Sequence, residues 1–398
     1  MNPRRTRHQL STVDGEQVPG SGAQRASSAS AARLVSLDNL KVVLVAGVII
    51  GHAAMTYGAS GTWILEVGDY GQSTLSGAPE ALSSVGIALG ALFAIGLFML
   101  IAGLLTPASA HRKGPGAFAV DRLVRLGIPI AAYVFVVWPL LGVLIDYSIG
   151  DARGSVWRDY LDRLGRFDSG PMWFVAILLA FSLVYAAWVR CAAPAHPPAQ
   201  VPLRARYLML AAALIAAASF VARLAWPIDT HQVVDLHLWL WPQCAVLFSF
   251  GVISAERGWL APVPDRLRRA CGIAALASVT LVVPIMVVVG GSEATFKGGL
   301  HVQALLVDCF EGVFAVAMSL WCLATFQRHQ GREGPLAVWS ARRAYGAFVA
   351  QGPVLVLIAL ALYPLTTPAG LKFLVLAAGG VAGSFIIGGA IRTFDRHS

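Results

Sequence analysis

Along this chain, long apolar runs alternate with short breaks that are polar, basic or rich in proline and glycine. Runs long enough to cross a bilayer fall near residues 37–57, 83–105, 123–145, 171–190, 207–226, 237–255, 271–290, 301–326, 344–363 and 370–391. A hydrocarbon core about 30 Å thick takes roughly 20 helical residues, and only elements that pair their own backbone groups can cross it. The pattern predicts an all-α fold, a polytopic membrane bundle of about ten transmembrane helices. Residues 1–32 depart from it, because RRTRHQLSTVDGEQVPGSGAQRASSASAA is polar, basic and rich in small residues. With no apolar core of a signal peptide, this stretch reads as a disordered cytoplasmic tail. Residues 33–398 remain as one membrane domain, with no repeat of fixed period and no polar segment large enough for a second domain.

Composition agrees: of 398 residues, 57% are hydrophobic and 13% charged, and the mean hydropathy is +0.68. The net charge of +9 would suit nucleic acid if it gathered on one surface, but the cations occupy alternate breaks instead. One set holds Arg112, Lys113, Arg122 and Arg125, then residues such as Arg204, Arg206, Arg268, Arg269, Arg342 and Arg343, seventeen in all. The other set holds six, four of them interleaved with aspartates between 151 and 168. Such a bias marks the cytoplasmic side, so both termini are expected inside, and the alanine- and arginine-rich style suggests a bacterial inner membrane. In the largest outer break, SVWRDYLDRLGRF puts Trp157, Tyr160, Leu161 and Leu164 on one helical face, predicting a helix that lies on the membrane. The five cysteines show neither a disulfide framework nor metal-ligand spacing.

The first span, LDNLKVVLVAGVIIGH, carries chemistry that a plain anchor has no use for. Lys41 and His52 are eleven residues apart, three turns on one face and about 16 Å along the axis, and Asp38 joins that face. This spacing predicts His52 about halfway through the bilayer, where ionisable groups face a polar cavity or the bundle interior. A neutral imidazole there can act as a general base or simply hydrogen-bond between helices. Arg122 and Arg125 lie one turn apart at the start of the third span, a spacing that can aim two guanidinium groups at phosphates or merely report topology. Glu311, within the eighth span, needs a proton, a partner or water. Trp173 opens the fourth span in GPMWF, and Trp239 and Trp241 suit a membrane interface. Near span ends, His237 and His301 read as solvated, and Arg223 as able to snorkel or to hold an anionic acceptor.

Six separated segments resemble the membrane-bound acyltransferase 3 family, in that family's order and from about residue 33 to the C-terminus. The first span resembles its LDxLR opening followed by a histidine, with Lys41 and His52 at the matching positions. FMLIAGLLTP (98–107) resembles FxxSGxL, and Arg122 and Arg125 match its RxxR. GPMWF, WPQCAVLFSFGVISAERGWL and ARRAYGAFVAQGPVLV resemble later segments, most closely those of a branch with glucan-modifying members. The chain departs from the family at Lys41 for arginine, Ala102 for serine and Gln351 for a late histidine, and the last argues that a second histidine is dispensable.

The resemblance implies transfer of an acetyl or succinyl group from cytosolic acyl-CoA to a hydroxyl of a carbohydrate, lipid-linked glycan or metabolite. No cofactor beyond the co-substrate is implied. Arg122 and Arg125 would then hold the donor phosphates, and His52 would act as base or carry an acyl intermediate. Lys41 and Asp38 would orient groups, with Glu311 and Trp173 in support. The same residues also fit a transporter or flippase of a glycan or lipid intermediate, or a non-catalytic relative.

Overall fold

The computed structural model describes residues 21–152, 154–191, 202–230, 236–260, 262–329 and 334–391. Among the described residues, ten helices are long and apolar enough to cross a membrane, and they coincide with the ten apolar runs. They are α1 (Ser21–Thr56), α2 (Ala78–Lys113), α3 (Pro115–Ile149), α4 (Gly170–Cys191), α5 (Ala205–Ala225), α6 (Leu238–Arg257), α7 (Asp265–Val289), α8 (Val302–His329), α9 (Ala344–Leu362) and α10 (Ala369–Ile387). The protein is an all-α, multi-pass membrane bundle. Helix α1 begins inside the segment expected as a tail, and residues 1–20 of that segment lie outside the described residues.

Three buried clusters share the described part of the bundle, and α1 serves two of them. Its middle turns send Leu37, Leu40 and Leu44 into a cluster with α2, α5, α6, α7 and α8. Its later turns send Val45, Ile49 and Ala53 into a cluster with α3, α9 and α10. A helix apolar on every side can be enclosed in this way. In lipid the helices gain little from hydrophobic contrast with their surroundings, so close approach through small residues matters more. Gly103 of α2 and Gly251 of α6 show this, because a β-carbon on either would overlap the facing backbone.

Helix α3 is interrupted in a regular way. Pro129 and Pro139 have no N–H to give, which frees the carbonyls of Arg125 and Phe135 four residues earlier. In each case a tyrosine hydroxyl from another element takes the freed oxygen: Tyr345 donates to Arg125 O at 3.1 Å and Tyr160 to Phe135 O at 2.5 Å. The two breaks are π turns, Leu123–Gly127 and Tyr133–Val137. Tyr160 sits on the short helix Val156–Leu164, the one expected on the membrane surface. That helix is fastened to α3 as well, since Arg163 forks onto Asp146 at 2.6 and 3.1 Å. Trp157 and Leu161 are left exposed.

Candidate active site

His52 lies one turn before the end of α1, whereas its partner Gln351 lies midway along α9, seven residues after its start and eleven before its end. The two levels agree because α1 stops short and residues 57–77 fold back into the bundle, burying Leu65, Val67 and Leu75. Irregular backbone at this level is tolerated when protein encloses it. The loop is pinned by Leu75 N–H donating to Tyr57 O at 2.8 Å and Trp63 N–H to Glu66 Oε1 at 3.0 Å.

The loop delivers the Trp63 indole onto the imidazole, with ring centroids 4.0 Å apart and planes 16° from parallel. Trp138 meets Trp63 edge-on at 5.5 Å, and Tyr133 packs against Trp138 at 5.8 Å. Both come from the second π-turn region of α3. Trp138 in turn lies on the backbone of Gly170, where φ is 48° and a β-carbon would fall 2.6 Å from the indole. Tyr133 Oη rests against Gly352.

Gln351 Oε1 is 3.0 Å from His52 Nδ1. An amide oxygen only accepts, so Nδ1 carries the hydrogen and Nε2 keeps its lone pair. The residue that departs from the family's late histidine therefore sets the tautomer of the first. Sequence reasoning took the substitution as a loss, although its position beside a retained motif was a usable signal.

The other expected site residues fall elsewhere. Asp38 and Lys41 pair with each other at 2.6 Å, and Lys41 stands about 16 Å along α1 from His52, so neither reaches the imidazole. Arg125 Nε meets Asp121 at 2.9 Å, and Lys113 meets the same oxygen at 3.0 Å. Arg122 lies over the Phe118 ring at 5.0 Å and its Nε, though buried, has no hydrogen-bond partner. Arg122 immediately precedes the π turn Leu123–Gly127 and Arg125 lies within it, and each is held by a different neighbour. Helix α9 measures their level: Tyr345 touches Arg125 and Gln351 touches His52, six residues or about 9 Å apart along the axis.

Glu311 belongs to a second polar cluster. Arg223 of α5 donates to both Asp308 and Glu311, one turn apart on α8, and all three are at most 1% exposed. The expectation that Arg223 snorkels or waits for an anion is overturned, because its charge is taken internally and Trp239 covers it at 5.6 Å. Asp308 escaped notice because it stands near a span end, where an acid usually meets water. Trp173 stacks on His237 at 4.5 Å, and His237 lies 6.1 Å from Trp239. His237 is therefore no simple solvated residue, and its φ of 49° is uncommon for a residue with a side chain. Trp173 follows Gly170 by three residues, so GPMWF reaches from the His52 cage to the edge of the Arg223 cluster.

Residues 34–389 match the family model of the acyltransferase 3 family, described as an acyltransferase domain. The chain belongs to that family. No curated relative and no solved structure matches it. The acyltransferase domain thus takes in all ten spans, the His52 cage, the basic end of α3 and the Arg223 cluster. Its enzyme class is that of a membrane acyltransferase.

Proposed function

We propose that this acyltransferase moves an acetyl or succinyl group from cytosolic acyl-CoA to a hydroxyl of a carbohydrate or glycan acceptor, with His52 as general base. The observation that carries this reading is the 3.0 Å contact between His52 Nδ1 and Gln351 Oε1, which leaves the Nε2 lone pair to receive a proton. Nε2 takes the proton of the acceptor hydroxyl as the oxygen attacks the thioester carbonyl. The tetrahedral adduct then expels the thiolate of CoA, which takes the proton back from the imidazolium. Trp63 holds the imidazole by stacking on it, and Trp138 backs Trp63 edge-on.

The basic end of the bundle is cytoplasmic in this reading. Arg122 and Arg125 bind donor phosphates there, Arg125 after exchanging part of its contact with Asp121, and the pantetheine arm spans the interval to His52. The protein would sit in a bacterial inner membrane and modify the cell envelope from within it.

The test is calorimetric binding of acetyl-CoA and succinyl-CoA to detergent-purified protein, followed by transfer of labelled acyl groups to envelope glycans. Saturable binding in wild type that an Arg122→Ala/Arg125→Ala variant loses, with transfer lost in His52→Ala, supports the proposal. Unimpaired transfer by well-folded His52→Ala would remove the base. The buried Arg223–Asp308–Glu311 cluster also suits a transporter, which would carry glycan across vesicles without any acyl-CoA.

A further inference from the structure

At the basic end, the start of α1 and the short helix Pro335–Ala341 enclose a cleft of about 270 Å³. Val35, Val338 and Ala341 give it apolar walls, Asp38 and Asn39 give it hydrogen-bonding edges, and Arg342 stands at its margin. Two adjacent arginines end this short helix, and their situations differ. Arg343 is committed, with Nη1 donating to Trp339 O at 3.2 Å and its guanidinium 4.3 Å over the Trp339 ring. Arg342 is exposed, and its guanidinium has no ion-pair partner among the described residues. The cleft also lies beside the expected donor path, because Tyr345, three residues after Arg342, donates to the Arg125 carbonyl.

We infer that this cleft receives the 3′-phosphorylated adenosine end of the acyl-CoA donor, with Arg342 on the ribose 3′-phosphate. A purine is flat and apolar on its faces and polar at its edge. The apolar walls suit its faces, and the Asp38 carboxylate and Asn39 amide suit its exocyclic amine and ring nitrogens. Lys41, paired with Asp38 at 2.6 Å, offsets the carboxylate's repulsion of a phosphate. Arg342 supplies the planar fork that a terminal phosphate takes best. This gives Asp38 and Lys41 a task at the nucleotide, far from the imidazole they cannot reach. The inference rests on the acyl-CoA reading and adds to it the place and the selectivity of nucleotide binding.

Two ligands that differ only in the 3′-phosphate, CoA and 3′-dephospho-CoA, test it by calorimetry on the full-length protein in detergent. Wild type is expected to prefer CoA by about tenfold or more, the worth of a charge-assisted contact. Arg342→Ala, a change at an exposed residue, should cut that preference to about twofold or less, with Arg342→Lys between them. Ala341→Trp, which fills the cleft, should weaken both ligands alike. Equal binding of the two ligands by wild type, or a full preference kept in Arg342→Ala, overturns the inference while leaving the donor reading intact. Binding of neither ligand by wild type overturns both.

Discussion

Two polar clusters lie inside this bundle, and they solve the cost of burial in opposite ways. Around His52 the groups are neutral: an imidazole, an amide and aromatic rings, joined by one hydrogen bond of 3.0 Å. Around Arg223 one guanidinium donates to two carboxylates, all fully buried, and Arg223 Nε, Asp308 Oδ2 and Glu311 Oε1 have no hydrogen-bond partner. A neutral group with one unengaged lone pair can react. A charge answered by its neighbours mainly locks α5 to α8. The comparison teaches that an ionisable residue in a membrane marks a site only after its partners are known.

The largest effects should separate the clusters cleanly. Replacing Arg223 by Met leaves two carboxylates without their cation and should destabilise the protein by about 3–5 kcal/mol, seen as a lower melting temperature in detergent. An Arg223→Met/Asp308→Leu/Glu311→Leu variant should regain most of that loss, because no charge is stranded. His52→Ala should do the reverse, lowering acyl transfer roughly 10²- to 10⁴-fold at nearly unchanged melting temperature. Should His52→Ala melt as early as Arg223→Met, the two clusters would both be structural and the contrast would collapse.

Next in size is Gln351. Its replacement by Leu frees the tautomer and should lower transfer about tenfold, on the order of one buried hydrogen bond. Gln351→His restores the family's residue and should keep activity, which a purely packing role for Gln351 does not predict. Tyr345→Phe strands the Arg125 carbonyl that Pro129 freed, and should cost about 1 kcal/mol of stability together with a small loss of donor affinity.

The smallest effect belongs to the surface pair near the Arg223 cluster, Lys297 with Glu293 at 2.6 Å. Lys297 holds the Glu293 carboxyl below its usual value, and Glu293 holds Lys297 above its own. Stability from the lowered carboxyl is present above the ordinary carboxylate range and lost as pH falls through its depressed value. That from the raised ammonium is lost only as pH rises past its elevated value. Lys297→Met should therefore leave the melting temperature at neutral pH almost unchanged, as exposed ion pairs usually do. A drop matching that of Arg223→Met would show that exposure does not separate the two kinds of pair.

Much of the architecture was readable because hydropathy reports the solvent around each residue, and lipid imposes length and pairing rules that leave few choices. The ends of α1 were less readable, since the loop bearing Trp63 enters the bundle only when α3 and α9 enclose it. At the candidate site, the motif around His52 was plain, while Gln351 read as a defect and Asp308 did not register at all. Gln351 and His52 are 299 residues apart, Arg223 and Asp308 85, and Tyr345 and Arg125 220.

By itself, the sequence determined the ten spans and the all-α class, which are local properties of composition and spacing, and its motifs gave the resemblance to the family. Only the tertiary structure decided which nitrogen of His52 is free, which acids answer Arg223 and which tyrosines complete α3. Those outcomes depend on how helices distant in sequence come to face one another, and the periodicity of a single helix does not record its neighbours.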